Sequence, residues 1–372
     1  MDRTKARRRR LAFGVLIGLA LAAFALGAAL GDGPAPEQVE VASTLPASQL
    51  AGQRLVAGLG DNEVTPRLRE AIRGGRIAGV VLFAANFPTR AAGRKLIARL
   101  QAIRRPRALR DPLLIMVDQE GGLVKRVSGA PTASARQMGN RGAAYSRDQG
   151  RRTAANLRDL GVNVDLAPVL DVARPGGTIA ATERGFGATA ANVEATAIPF
   201  AEALQAGGVA ATAKHFPGFG AAGENTDFAV EEIELSKAKL RAVDEAPFAA
   251  FAAAGGDLVM LSTAIYPAFS DKPAAFARPI ATTELRGRLG FEGVSVTDAL
   301  GTVAVQDFGG PAAAGLAAAR AGTDLLLFND LPQAESAWRA LVQKLRSHQL
   351  GRQAFEQSAQ RVLDLRAELP RR

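Results

Sequence analysis

The sequence contains no cysteine and only two histidines, His215 and His348, among its 372 residues. The absence of cysteine excludes a disulfide framework, a thiolate metal site, an iron–sulfur cluster and a thiol nucleophile. Two histidines are too few for a multi-histidine metal site. No segment suggests an organic cofactor either, so we expect the protein to work with no metal and no cofactor.

Aromatic side chains are also scarce, at 5% of the residues, although the chain carries a formal net charge of +10. Residues 1–10 contain six basic residues and one acidic residue, and they alone contribute half of that charge. The remaining excess is spread along the chain and forms no dense basic stripe interleaved with aromatic residues. We therefore expect no nucleic-acid partner.

Long apolar runs are missing except at residues 11–30, which are all apolar or glycine. As a helix this run spans about 30 Å, the thickness of the hydrocarbon core of a bilayer. The basic residues 1–10 are then expected to stay in the cytoplasm. A cleaved signal peptide usually has a shorter apolar core, so we favour an uncleaved membrane anchor over a signal peptide. Either interpretation places the rest of the protein outside the cytoplasm, anchored to the membrane or secreted.

The body of the chain has the composition of a globular protein, with 48% hydrophobic and 22% charged residues. Residues 31–48 begin with a stretch rich in proline, glycine and polar residues, and we interpret them as a linker. Residues 49–372 are predicted to form one domain. The helical segment at residues 334–372 is expected to close one side of that domain against solvent.

Short apolar runs alternate with longer helical segments throughout residues 49–372. This alternation is typical of a parallel sheet covered by helices. Eight such units predict a (β/α)₈ TIM-type barrel. An open doubly wound sheet is the alternative, and the lack of a Gly-x-Gly-x-x-Gly turn after the early strands disfavours it. The predicted strands are residues 54–58, 78–83, 113–118, 162–167, 209–216, 258–263, 293–298 and 323–328.

Charged side chains stand at the ends of three predicted strands. Strand three ends at Asp118, strand five at Lys214 and His215, and strand seven at Asp298. Because a TIM barrel gathers the carboxyl ends of its strands on one face, we expect these side chains to meet. An aspartate at one such junction is often only a helix cap. Three charged strand ends, two of them inside glycine-flanked loops, favour a functional site.

Five segments resemble motifs of glycoside hydrolase family 3 in both order and spacing. The resemblance covers roughly residues 50–330, and the length is similar to that of the single-domain bacterial β-N-acetylhexosaminidases. It implies a retaining glycosidase with a carboxylate nucleophile. The segments are VDQEGG (117–122, with Arg126 downstream), APVLD (167–171), ERGFG (183–187), KHFPG (214–218) and GVSVTDAL (293–300).

The resemblance also implies roles for individual residues. Asp298 would be the nucleophile, which forms a covalent glycosyl-enzyme that water then releases. The expected substrate is a carbohydrate, a terminal β-N-acetylglucosaminide or a related β-glycoside, with cell-wall fragments among the candidates. The residues expected to hold the hydroxyl groups of the terminal sugar are Asp118, Arg126, Arg184, Lys214 and His215.

The sequence departs from the family pattern on the loop that carries the acid/base histidine of the hexosaminidases. Asp227 occupies the position of that histidine, and Asn225 occupies the position of its partner aspartate. Two interpretations stay open. Asp227 is a replacement proton donor, since a carboxylic acid is the usual donor in glycosidases. Alternatively, the protein has lost hydrolysis and is a sugar-binding protein of the cell envelope.

We favour the enzyme because the nucleophile position is retained. Asp227 also fits a solvated turn residue, and Glu224, Glu231 and Glu232 are alternative proton donors. Three further positions depart from the family pattern. Phe219 and Thr263 replace histidines, with Phe219 expected to pack in the wall of the site, and Ala299 replaces an aspartate beside the nucleophile.

Overall fold

The computed structural model describes residues 40–370. The predicted cytoplasmic segment (residues 1–10) and the predicted anchor (residues 11–30) lie outside the described residues. Among residues 40–370, no helix combines the length and the apolar character that crossing a bilayer requires.

Eight parallel strands form a barrel, which confirms the predicted TIM-type fold. Each strand pairs with the next in the chain from β1 to β7, and β1 also pairs with β8. An isolated bridge between Val296 and Leu325 brings β7 to β8 and completes the circle. The strands are β1 (Leu55–Leu59), β2 (Gly79–Leu82), β3 (Leu114–Val117), β4 (Val164–Asp165), β5 (Ala210–Phe216), β6 (Leu258–Leu261), β7 (Val294–Thr297) and β8 (Leu326–Phe328).

These strands form where predicted because most of their residues are apolar and buried. One face of each strand fills the barrel interior, with side chains such as Val56, Met116 and Val296 in a single cluster. The other face packs against the helices that surround the sheet. Strands buried on both faces are typical of parallel sheets, and their continuous apolar runs made them visible in the sequence.

The helices surround the barrel, and several begin at a side chain that caps the first turn. Thr65, Thr89 and Asp330, for example, each accept a hydrogen bond from a backbone N–H of the first helical turn. The α-helices are Val41–Thr44, Ala47–Gly52, Pro66–Arg73, Arg90–Gln101, Ala135–Arg141, Ala143–Leu160, Thr178–Ala181, Ala190–Ala206, Lys237–Lys239, Ala246–Ala253, Gly310–Ala321, Leu331–Arg346 and Arg352–Glu368. Leu240–Asp244 and Pro279–Arg288 are π-helical, and four short 3₁₀ segments are Ala84–Asn86, Arg107–Leu109, Ala274–Phe276 and Val303–Phe308.

Two short antiparallel hairpins add to the barrel. One follows β3 and pairs Gln119–Gly121 with Val124–Lys125, and the other follows β6 and pairs Ile265–Tyr266 with Ser270–Pro273. Both arise at the carboxyl ends of barrel strands. They therefore lie on the face where a TIM barrel carries its site.

The last helix, Arg352–Glu368, closes the amino-terminal face of the barrel. Val362, Leu365 and Leu369 belong to the same apolar cluster as the inward side chains of the strands. Arg366, buried beside them, donates hydrogen bonds to the carbonyl groups of the turn that precedes β3. This arrangement confirms that the carboxyl-terminal segment closes the barrel against solvent.

The predicted linker, residues 31–48, overlaps the folded domain at its carboxyl-terminal end. The composition places residues 41–48 in the linker, but Val41–Thr44 is a helix, and Ala47–Gly52 is a second one. Ala42 and Leu45 are buried, and the N–H of Ala42 donates to the Gln360 side chain at 2.9 Å. These small apolar residues belong to the folded domain because they pack on the last helix, a contact that no local pattern indicates.

Candidate functional site

A cavity of about 200 Å³ opens at the carboxyl ends of the barrel strands. The structure brings all seven sequence-predicted site residues to its wall, although they come from six separate parts of the chain. Strand ends supply four of them, and the loops after β3, β4 and β5 supply the others. The seven residues are Asp118, Arg126, Arg184, Lys214, His215, Asp227 and Asp298.

Asp118 lies between two cations on one side of the cavity. Its Oδ1 accepts a hydrogen bond from Lys214 Nζ at 2.8 Å, and its Oδ2 lies 3.5 Å from a terminal nitrogen of Arg126. Burial alone would raise the pKa of Asp118, but Lys214 and Arg126 outweigh burial and lower it. The pKa of Lys214 is raised, because Asp118 and Glu120 outweigh its burial. Both groups therefore stay charged at neutral pH.

Glu120 binds Arg184 and Lys214, the two most buried cations of the cavity wall. The sequence prediction did not assign Glu120 to the site. Its two carboxylate oxygens accept from Arg184 Nε and from a terminal Arg184 nitrogen, each at 2.8 Å. Lys214 Nζ lies 2.6 Å from the same carboxylate. Burial would raise the pKa of Glu120, but Arg184 and Lys214 lower it well below its usual range. Its place inside the VDQEGG segment was the available signal.

His215 is oriented by Asp171, a second residue that the sequence prediction did not assign to the site. The Oδ2 of the fully buried Asp171 lies 2.7 Å from His215 Nδ1. Its Oδ1 accepts the backbone N–H groups of His215 and Phe219 at 3.0 and 2.7 Å. A carboxylate at Nδ1 keeps the proton on that nitrogen, so the neutral ring presents Nε2 as an acceptor. Asp171 belongs to the APVLD segment, where its role could have been suspected.

We expect Asp171→Asn to exchange the donor and acceptor nitrogens of the His215 ring without unfolding the loop. The amide oxygen still accepts the two backbone N–H groups, but the amide NH₂ now faces Nδ1 and moves the ring proton to Nε2. If His215 holds a sugar hydroxyl, as the family resemblance implies, that hydroxyl loses its acceptor at Nε2, and affinity falls by about 10- to 100-fold. Calorimetry with N-acetylglucosamine measures this loss, and circular dichroism checks the fold. Unchanged affinity would show that His215 Nε2 makes no contact with the sugar.

Asp298 and Asp227 face the cavity from different loops. Asp298 follows β7, is half-buried, and accepts the N–H of Ala299 on Oδ1 at 2.7 Å. Asp227 lies at the exposed rim, where Asn225 Nδ2 donates to its Oδ2 at 3.2 Å and Asn225 Oδ1 accepts its backbone N–H at 3.0 Å. Partial desolvation raises the pKa of Asp227, and the negative charge of Asp298 raises it further.

The described chain matches a known family over most of its length. Residues 47–365 match the model of the glycosyl hydrolase family 3 N-terminal domain. The chain belongs to glycosyl hydrolase family 3. It is therefore a glycoside hydrolase, as the five segments predicted.

Proteins similar to this chain fall in the same family. A protein of Arthroderma benhamiae, described as an uncharacterized secreted glycosyl hydrolase, is 35% identical over 305 residues, which are 79% of this chain and 86% of that protein. A beta-hexosaminidase of Xylella fastidiosa is 36% identical over 285 residues, 73% of this chain and 82% of that protein. A solved structure of a family 3 beta-N-acetylglucosaminidase from Paenibacillus superposes with a TM-score of 0.82 at 32% identity. That alignment covers 87% of this chain but only 62% of the Paenibacillus chain.

Two of the three positions at which this family 3 chain lacks a histidine, Phe219 and Thr263, have side chains without a titratable group. Phe219 is buried and packs edge-on against His215, with ring centroids 5.6 Å apart, so it forms part of the wall as predicted. Thr263 is buried, and its hydroxyl has no hydrogen-bond partner among the described residues. Neither side chain can transfer a proton as a histidine does.

Asp165 is a buried carboxyl group beneath the cavity that makes no ion pair among the described residues. Its Oδ1 accepts the N–H of Gln119 at 2.9 Å, and its Oδ2 has no hydrogen-bond partner within the described chain. Burial raises the pKa of Asp165 to about 8, although the Gln119 N–H and Lys214 oppose the rise. Asp165 is thus protonated over much of the neutral range.

We expect this proton to make stability pH-dependent. The unfolded chain ionises Asp165 near pH 3.9, so between about pH 4 and pH 8 only the folded chain retains the proton. The free energy of unfolding then falls as pH rises through this window. Asp165→Asn, which still accepts from Gln119, removes that fall. Urea unfolding at pH 5 to 9 should show that the free energy of unfolding of the variant rises relative to that of the wild type as pH rises. A difference between the two that does not change with pH would contradict the raised pKa of Asp165.

Proposed function

We propose that this family 3 enzyme is a retaining β-glycosidase that removes terminal N-acetyl-β-glucosaminyl groups, with Asp298 as its nucleophile. The observation that carries the proposal is the shared cavity. Asp298 faces the same space as the cluster of Asp118, Lys214, Glu120 and Arg184. The cavity, at about 200 Å³, is smaller than the roughly 300–1,000 Å³ typical of sites for drug-sized ligands, so it suits one sugar ring.

The charged cluster is suited to holding the sugar in one orientation. Asp118 offers carboxylate oxygens to hydroxyl groups, while Arg126, Arg184 and Lys214 offer N–H donors. Hydrogen bonds to charged groups are stronger than those between neutral groups, and a fixed ring places the anomeric carbon against Asp298. Glu120 and Asp171 do not need to touch the sugar: they keep the cations and His215 in place.

In the first step the Asp298 carboxylate attacks the anomeric carbon, and the bond to the leaving group breaks. A proton from Asp227 moves to the departing oxygen, which gives an alcohol and a covalent glycosyl-enzyme. In the second step Asp227, now ionised, takes a proton from water, and the water oxygen replaces Asp298 at the anomeric carbon. The raised pKa of Asp227 supports the acid role, and its hydrogen bond from neutral Asn225 avoids a third negative charge.

The names of similar proteins support the choice of sugar. The Xylella protein is a beta-hexosaminidase and the Paenibacillus structure is a beta-N-acetylglucosaminidase. Each aligns with this chain over more than two thirds of this chain's length. We extend that specificity to this chain because the cavity residues lie within residues 47–365, which match the family model.

We also propose that the enzyme acts outside the cytoplasm. Residues 1–10 would remain inside, residues 11–30 would form the anchor or signal peptide, and a linker would lead to the barrel. The apolar run and the basic residues before it support this arrangement. The description of the Arthroderma relative as secreted agrees with it.

The stereochemistry of the first product tests the mechanism. Proton NMR of an aryl N-acetyl-β-glucosaminide during hydrolysis should show the β anomer of N-acetylglucosamine first, with the α anomer appearing later by mutarotation. An α anomer formed first would refute the covalent mechanism. Sugar binding by calorimetry without any turnover would instead favour the alternative, a sugar-binding envelope protein.

A further inference from the structure

Exposed apolar side chains occur on the loops that carry residues of the cavity wall. Among residues 40–370, large apolar side chains are exposed at five positions. Leu123 and Phe228 are the most exposed, at 77% and 78%. Single exposed apolar residues are ordinary on a protein surface, but a group at one place marks a contact site.

Two of the five positions adjoin residues of the cavity wall in the chain, and two more lie on the same loops as such residues. Leu123 is at the tip of the hairpin Gln119–Lys125 and precedes Val124, which lines the cavity. Phe228 and Val230 follow Asp227 on its loop. The fourth, Val303, precedes Ala304, whose N–H donates to the carbonyl of Thr226 at 3.3 Å.

Hydrogen bonds within its own loop fix the position of Phe228. The N–H groups of Phe228 and Ala229 both donate to the carbonyl of Asn225, at 2.9 and 3.1 Å, which fixes a turn with Phe228 at its outer side. Gly223 donates to Glu231 Oε2 at 2.9 Å and closes the base of the same loop. The exposure of Phe228 is therefore set by the loop's own hydrogen bonds.

We propose that Leu123, Phe228, Val230 and Val303 form a binding site for the leaving group of the substrate, and that the site selects leaving groups with an apolar surface. The inference rests on the proposed glycosidase function. The cavity suits one sugar ring, so whatever is attached to that ring must leave through the mouth, and these four side chains lie on the loops that surround it. An alkyl chain, an aryl ring or the apolar face of a second sugar buries their surface, and burial of apolar surface favours binding.

Two substrates that differ only in apolar surface test the proposal. Methyl and hexyl N-acetyl-β-glucosaminides have alkoxide leaving groups of similar acidity, so a difference in kcat/KM reports binding. Partial burial of the five additional methylene groups should raise kcat/KM for the hexyl glycoside by about tenfold or more. In a double variant, Leu123→Ser with Phe228→Ser, the ratio should fall to within about threefold of one.

Val41→Ser is the matched control, because Val41 is the fifth exposed position and lies in the first helix, which packs on the last helix of the domain. The control variant should keep the wild-type ratio. A wild-type ratio near one, or an unchanged ratio in the double variant, would overturn the proposal. The proposal would also be overturned if the double variant kept the wild-type ratio of kcat/KM values but lost self-association in sedimentation. The four apolar side chains would then form an interface between two copies of the chain.

Failure of the proposed function leaves a distinguishable result. If the full chain turns over neither glycoside, calorimetry still gives the ratio of the two dissociation constants. A tighter hexyl complex that depends on Leu123 and Phe228 supports the leaving-group site even without hydrolysis. Equal dissociation constants overturn it.

Discussion

Replacing Asp298 by asparagine should lower kcat by about 10⁴-fold or more, because loss of a nucleophile removes the covalent route entirely. Asparagine has the same shape and its side-chain oxygen still accepts the Ala299 N–H, so the cavity is retained. Affinity for N-acetylglucosamine should therefore change by less than about tenfold. Steady-state hydrolysis of a fluorogenic aryl glycoside and calorimetry measure the two effects.

Asp307→Asn provides the matched control for Asp298. Asp307 is an exposed aspartate on the same connection after β7, and it makes no ion pair among the described residues. Trypsin leaves both aspartates in one peptide, since no lysine or arginine lies between residues 289 and 319. A fluorinated glycoside inactivator should label that peptide at residue 298 in the wild type and in Asp307→Asn, but not in Asp298→Asn. An adduct on another residue would refute the assignment.

Replacing Asp227 by alanine should separate substrates by the quality of their leaving group. An alkoxide leaves poorly without a proton, so hydrolysis of a glycoside with a sugar or alkyl leaving group should fall by about 10²- to 10⁴-fold. An activated aryl group leaves unprotonated, so its release in the first step should be nearly unchanged. Azide, which attacks without a base, should then speed the second step and give a glycosyl azide product.

Glu224→Ala tests the alternative donor on the same loop. Glu224 is exposed and precedes Asn225, so it shares the loop's position and solvent contact. If Asp227 is the donor, this variant keeps the wild-type ratio of alkyl to aryl rates and shows no azide effect. Equal losses of rate on both substrates in Asp227→Ala would instead show a structural role for Asp227. A loss in Glu224→Ala that is confined to the alkyl glycoside would identify Glu224 as the proton donor.

The strands of this protein could be predicted because their signal is local. Each apolar run is buried on both faces, and a strand of this kind is visible in the sequence as several consecutive apolar residues. The strand-end residues follow from the same reasoning, since parallel strands end on one face. Asp118, Lys214 and Asp298 can therefore be predicted as neighbours from the sequence alone.

The residues missed by the sequence prediction act through pairings between distant segments. Glu120 is 64 residues from Arg184 and Asp171 is 44 residues from His215 in the chain. Nothing local distinguishes such a carboxylate from one that touches substrate. The start of the domain was missed for the same reason, because Ala42 contacts Gln360 of the last helix, 318 residues away in the chain.

The pairing of β1 with β8 has a consequence for biosynthesis. Until Leu326–Phe328 has been made, Leu55–Leu59 has no partner on one side, and the growing sheet keeps an open edge of the kind that invites association between chains. Val362, Leu365 and Leu369, which close the amino-terminal face of the barrel, are synthesised later still. Nearly the whole chain must therefore emerge before the domain can complete its fold, and until then the edge of β1 stays open to pairing with another chain.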